Sequence, residues 1–215
     1  MRATAAAMSS LLHAALLASC LTLMAGVAEP TSTQALGDVP SLAAVPRYEL
    51  PRLERGEVVL LAAAEEKPGG TAVAAVLIRA PAEQVWGVMI DCSRAPEFVP
   101  NLRSCRVLER GPGRRLVEHR VKPHPLLPAF TYRFEERWQE LRQIAFRRVG
   151  GDLAAMEGSW DLEPVGDATL VRYRVSINPG FPVPRWSIRR ALRHDIPRLL
   201  GALRDRVEGR QEDSR

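Results

Sequence analysis

The chain has 215 residues, 46% hydrophobic, 26% charged and 6% aromatic, with 15 Gly and 17 Pro. That is too apolar for a disordered polymer and too charged for a multispanning membrane protein, and no heptad, collagen or solenoid period runs through it. The formal charge of +5 sets 30 basic residues, all but Lys67 and Lys122 being Arg, against 25 acids. Arginine spread so evenly is a compositional habit rather than a nucleic-acid footprint, so no nucleic-acid partner is expected.

The N-terminus reads as an address. Arg2 precedes an acid-free stretch, residues 11–28 are nearly all apolar or small, and the first acid is Glu29. Gly26, Val27 and Ala28 place small residues at the recognition positions of a signal peptidase, so residues 1–28 are expected to be a secretion signal cleaved near Ala28. Two alternatives stay open: a lipobox ending at Cys20, which would attach a lipid there, and an uncleaved apolar anchor of just spanning length. All three export the protein, and the expected destination is the periplasm.

Residues 29–55 carry Pro30, Pro40, Pro46 and Pro51 and read as a Pro-rich lead-in or tether. The runs 58–61 and 71–78 on either side of Lys67-Pro68-Gly69-Gly70 read as strands with a turn between them. Pro81 opens a helix in which Val85, Trp86, Met89 and Ile90 recur at helical spacing, and Pro96 and Pro100 break off a second, short one. Strand candidates follow at 103–110, 115–122, 129–140, 143–149, 154–163 and 169–177, joined by short Gly- and Pro-containing connections. From Pro184 to about Glu208, Leu192, Ile196, Leu199, Leu200, Leu203 and Val207 form one apolar stripe, with Pro197 expected to kink the helix. The domain is thus expected at 56–208, with a polar tail at 209–215. About 160 residues bury enough surface to fold without a metal or a disulfide.

This order gives an α+β architecture: a curved antiparallel sheet of about seven strands wrapped on a long C-terminal helix, with two short helices after the first strand. Such a sheet cannot close on one helix, so a cavity between them is expected. Strand alternation sorts the faces. Phe130, Tyr132, Phe134, Glu136 and Trp138 point inward, as do Val117, His119 and Val121, then Met156, Gly158, Trp160 and Leu162, and then Val171, Tyr173, Val175 and Ile177.

His119, Tyr132, Glu136 and Tyr173 are therefore polar groups on apolar faces, and buried ones need partners. One reading pairs His119 with Glu136 as cavity acid and base, the carboxyl raised by desolvation. The others are ligand-orienting contacts, or a Glu136 that simply reaches water at a strand end. Once the signal is removed, Cys92 and Cys105 remain in a compartment that permits disulfides, and they are read as bonded; two separate buried thiols are the alternative. No zinc motif, nucleophile elbow or phosphate-cradling loop is present, so neither metal nor cofactor is expected. The Arg-rich C-terminal helix offers contact with anionic headgroups, or else is an ordinary solvated face.

The run AVLIRAPAEQVWGVMIDCSRAPEFVPNLRSCRVLER (75–110) and the later GGDLAAMEGSWDLEPVGDATLVRYRVSINPGFPVP (150–184) resemble the START-like (SRPBCC) superfamily, in its polyketide cyclase/dehydrase and coenzyme Q-binding branch. The resemblance spans roughly residues 57–208. It implies the helix-grip fold, START-like or Bet v 1-like, and a hydrophobic molecule such as a lipid, quinone, sterol or polyketide held between sheet and helix. It carries over no catalytic residue. The export signal departs from the quinone-binding members.

The sequence thus reads as an exported monomer that carries or sequesters a hydrophobic small molecule or lipid. The expected cavity residues are Trp86, His119, Phe130, Tyr132, Phe134, Trp160, Tyr173, Trp186 and Leu192. Residues 123–128 and 181–184, both proline-rich, are expected to flank its mouth. A cyclase or dehydratase using His119 and Glu136 is the enzyme alternative. A third alternative, a non-catalytic envelope interaction module, would go with a cavity below about 300 Å3.

Overall fold

The computed structural model describes residues 45–209 except Lys67, His124 and Leu127. The expected signal at 1–28 with its Cys20 alternative, most of the lead-in and nearly all of the tail lie outside the described residues.

Eight strands build one antiparallel sheet: β1 (Val59–Glu65), β2 (Gly70–Ile78), β3 (Leu102–Gly111), β4 (Arg114–Val121), β5 (Phe130–Gln139), β6 (Gln143–Gly151), β7 (Ala155–Val165) and β8 (Ala168–Asn178). Their order is β1-β2-β8-β7-β6-β5-β4-β3. Strands β3 to β8 form a meander, and β8 returns to pair with β2 along its whole length, from Gly70↔Ile177 to Ile78↔Thr169. All eight strand candidates form, one more than the count of about seven, and the short helices α2 (Ala82–Ile90) and α3 (Ala95–Phe98) follow the second strand rather than the first, carrying the chain from β2 to the far edge at β3. β1 also runs further than expected, through Ala62, Ala63 and Ala64; alanine carries little strand signal, but pairing with β2 satisfies its backbone.

Residues 45–55 hold a single 3-10 turn and the short helix α1 (Leu50–Glu54). Val45 and Leu53 are buried with Val59, Ala75 and Leu170, a small core on the side of the sheet away from the main one. The main core lies between the inward face of the sheet and the C-terminal helix. Ala72, Ala74, Val76 and Ile78 alternate along β2 and meet Leu192, Ile196, Leu199, Leu200 and Leu203. The alanines keep β2 low under the helix. At Gly70 a Cβ would stand 2.6 Å from the Ala64 carbonyl oxygen and 2.7 Å from Leu192 Cδ1, so glycine lets β1 pair closely here with Leu192 seated above.

The expected kink takes a definite form. The helix runs as α4 (Arg185–Arg190), a π-helical turn (Ala191–Asp195) and α5 (Ile196–Val207). Pro197 lacks the N–H that a regular helix would use, and its ring would clash with the Arg193 carbonyl. The wider turn just before it removes both problems without ending the helix.

Candidate functional site

Between the sheet, the α2–α3 segment and α5 lies a cavity of about 110 Å3. Adjacent strands supply its polar wall through three facing pairs: Arg115↔Glu136, Val117↔Phe134 and His119↔Tyr132. The inward alternation of β5 survives to Glu136 because the irregularity at Arg133/Phe134 is taken up on β6, where Val149 is the extra residue and stands half exposed.

Arg115, only 5% exposed, donates from Nε to Glu136 Oε2 and from a terminal nitrogen to the Ile90 carbonyl at 2.5 Å. That carbonyl belongs to the last residue of α2, where the helix end is partially negative, so the guanidinium joins two negative groups. Burial pushes the Glu136 carboxyl above its ordinary range, with Arg115 pulling the other way. His119 Nδ1 lies 3.2 Å from the Tyr132 hydroxyl, and its ring stands edge-on to Phe134 at 4.8 Å. Burial, aided by the Arg115 charge, lowers the imidazole to about 4, so it is neutral at physiological pH. Burial also raises the phenols of Tyr132 and Tyr173, keeping both protonated as donors.

The rest of the wall is apolar and includes Met89, Phe98, Ile144, Phe146, Met156 and Leu199. Phe146 stacks on Tyr173 at 5.9 Å, and Tyr173 lies 4.1 Å from Trp160. This cluster requires Gly158, where a Cβ would stand 2.6 Å from the Phe146 ring and 2.1 Å from the Arg174 carbonyl. The cysteines are bonded: Cys92 to Cys105, Cα atoms 5.5 Å apart, both on the cavity wall. Cys105 faces His119 across β3 and β4, so the bridge ties the segment between α2 and α3 to the strand beside the imidazole.

Of the residues expected at the cavity, His119, Tyr132, Phe134, Trp160 and Tyr173 line it together, with Glu136. Phe130 sits one step outward, stacked on Tyr132 at 6.0 Å and meeting Phe181 edge-on at 6.1 Å. Trp86 and Leu192 belong to the packed core instead. Trp186 is 48% exposed, on the outward side of α4. Glu136 takes Arg115 rather than His119 as its partner. Arg115 itself escaped the sequence reading, although it precedes Val117 by two residues and so shares the inward face of β4.

A second, open groove of about 520 Å3 lies outside Phe181, lined also by Pro182, Val183, Arg185 and Ile188 and by Glu65 and Glu66. The rings of Phe181 and Phe130 link it to Tyr132 and the cavity.

Known proteins resemble the chain over this same region. The sequence profile of the family described as polyketide cyclase/dehydrase and lipid transport matches residues 78–204. A provisionally named polyketide cyclase of Streptomyces cyaneus is 27% identical over 139 residues, covering 62% of this chain and 90% of that protein. Among solved structures, the Zhui aromatase/cyclase of Streptomyces sp. R1128 superposes with a TM-score of 0.58 at 19% identity, covering 66% of this chain and 96% of that one. A STAR-related lipid transfer protein of Xanthomonas axonopodis gives 0.59 at 17% identity, covering 70% and 92%. At these identities the structures establish a shared fold.

Proposed function

Because the chain belongs to the polyketide cyclase/dehydrase and lipid transport family, we propose that it is an exported carrier or sequestering protein for a hydrophobic small molecule or lipid. The observation that carries this reading is the cavity wall: an apolar enclosure with Arg115, His119, Tyr132 and Tyr173 converging from β4, β5 and β8. That pattern suits an apolar body with one oxygenated end, the tyrosine hydroxyls and guanidinium donating to a carbonyl or hydroxyl. Export rests on the residues 1–28 and accords with the Cys92–Cys105 bond, which an oxidising compartment permits.

The cavity volume, about 110 Å3, falls below the roughly 300 Å3 of a drug-sized site. On volume alone it meets the expectation for the envelope interaction module; the carrier reading takes it as a closed state. Loading displaces Phe130 and Phe181 and joins the cavity to the 520 Å3 groove. If the cavity never opens, the small volume favours the envelope interaction module instead.

The test is a titration of the detergent-free protein with lipids, quinones and aromatic polyketides, read as the difference in tryptophan fluorescence between the protein and Trp160→Phe, which isolates Trp160 on the cavity wall. Saturable quenching supports the carrier; no response to any class contradicts it. One observation favours a second reading, a cyclase or dehydratase: a neutral imidazole held against a phenol, on the same cavity wall as a buried carboxyl. His119→Gln and Glu136→Gln separate the two, since loss of turnover with binding retained supports chemistry.

A further inference from the structure

We propose that the outward face at the start of the C-terminal helix docks on an anionic phospholipid bilayer, with Trp186 in the headgroup layer. The purpose of docking, loading the cavity, rests on the carrier reading above; the surface itself does not. Trp186, Arg189, Arg190 and Arg193 follow one another at i, i+3, i+4 and i+7, and all four are exposed. Ile188 and Leu192, between them, turn to the core. One tryptophan, 48% exposed, thus stands at the end of a stripe of guanidinium groups.

Few carboxylates offset that charge. Glu65 on β1 takes Arg189 at 2.9 Å and Arg185 at 3.9 Å, and Asp195 takes Arg190 at 3.9 Å. Arg193 makes no direct ion pair among the described residues, although its charge also acts on Glu65. Arg198, also exposed, extends the basic surface along the helix, while Glu66 is an exposed acid at the edge of the groove. The remaining positive field complements an anionic surface. The amphipathic indole among the arginines distinguishes a bilayer, with its graded polarity, from a merely acidic partner.

The open groove lies at the same end of the helix. Arg185 and Ile188 of the same helix, with Phe181, Pro182 and Val183 before it, line the open groove. The groove opens on the Ile188 side of the helix, next to the docked face rather than under it, and Phe181, Phe130 and Tyr132 lead from it to the cavity.

The experiment uses the full chain with phosphatidylcholine vesicles carrying brominated acyl chains, with and without phosphatidylglycerol. Subtracting the signal of Trp186→Phe isolates Trp186 from Trp86, Trp138 and Trp160, and cancels background binding by the apolar N-terminal stretch. The expected result is quenching of Trp186 only with phosphatidylglycerol present, weakening as salt rises and lost in Arg190→Gln/Arg193→Gln. Each neutralised arginine should lower the occupancy of the docked state roughly fivefold. Equal quenching in both lipids, quenching unaffected by the double variant, or none at all would overturn the proposal. So would an RNA oligomer that protects Trp186 from the vesicles at equal charge. Uptake of cis-parinaric acid from solution is followed in parallel. Docking lost with uptake retained refutes the docking surface alone, and docking retained without uptake refutes the carrier alone.

Discussion

His119 should make the protein acid-sensitive in a window that its carboxylates do not explain. Unfolded, the imidazole titrates near 6.5; in the folded chain, burial and the Arg115 charge bring it to about 4. Between those values the unfolded chain binds a proton that the folded one refuses, so stability falls as pH falls. The slope approaches about 1.4 kcal/mol per pH unit and sums to about 3 kcal/mol across the window. Carboxylates whose pKa is lowered by hydrogen bonds and arginines, such as Glu65 and Glu118, lose their contribution only at or below the ordinary carboxylate range. Glu136 and Asp195, raised by burial, act in the opposite sense and gain stability as they protonate. These groups are common to wild type and His119→Gln, so the difference between the two proteins isolates the histidine. The assay is urea unfolding from pH 7.5 to 4.5. The variant should lose much less stability over that interval, whatever its offset at neutral pH. Parallel curves would refute the claim that a neutral, desolvated imidazole sits in the cavity.

Three further outcomes follow from the same geometry. Arg115→Met strips the buried Glu136 of its charge partner and should cost about 3 kcal/mol or more in urea unfolding, whereas Arg115→Met/Glu136→Leu should recover most of it; a double variant as unstable as the single would contradict that pairing. Cys92→Ser/Cys105→Ser opens a loop with a sequence separation of 13 and should lower stability by about 3 kcal/mol; an unchanged unfolding midpoint would contradict a structural role for the bridge. Phe181→Ala removes the ring between groove and cavity and should speed the release of a bound fluorescent lipid several-fold in stopped flow, with unchanged rates arguing for another route.

The sheet was legible because its inner face repeats with period two. Phe134, Tyr132 and His119 declared themselves as aromatic or polar groups among apolar neighbours. Arg115 did not, since an arginine at the start of a strand reads as solvent-facing until register sets it opposite Glu136. That register also decided the partner of Glu136, which alternation alone leaves open. Trp186 was misplaced for a different reason: aromatic character suggested burial, although its helical phase opposes that of Ile188 and Leu192. The end of β1 carried no signal in Ala62–Ala64 because its pairing is supplied by β2 rather than by its own side chains. Cavity volume was beyond sequence altogether, because it depends on how Phe146 settles over Gly158.

The central claim, that this chain carries a hydrophobic molecule, is tested most directly by native mass spectrometry of the exported protein purified without detergent, followed by analysis of its organic extract. The account predicts a discrete additional mass that the extract identifies as an apolar molecule with an oxygenated end. A protein that is empty, and that stays empty after incubation with lipids, quinones and polyketides, would contradict it.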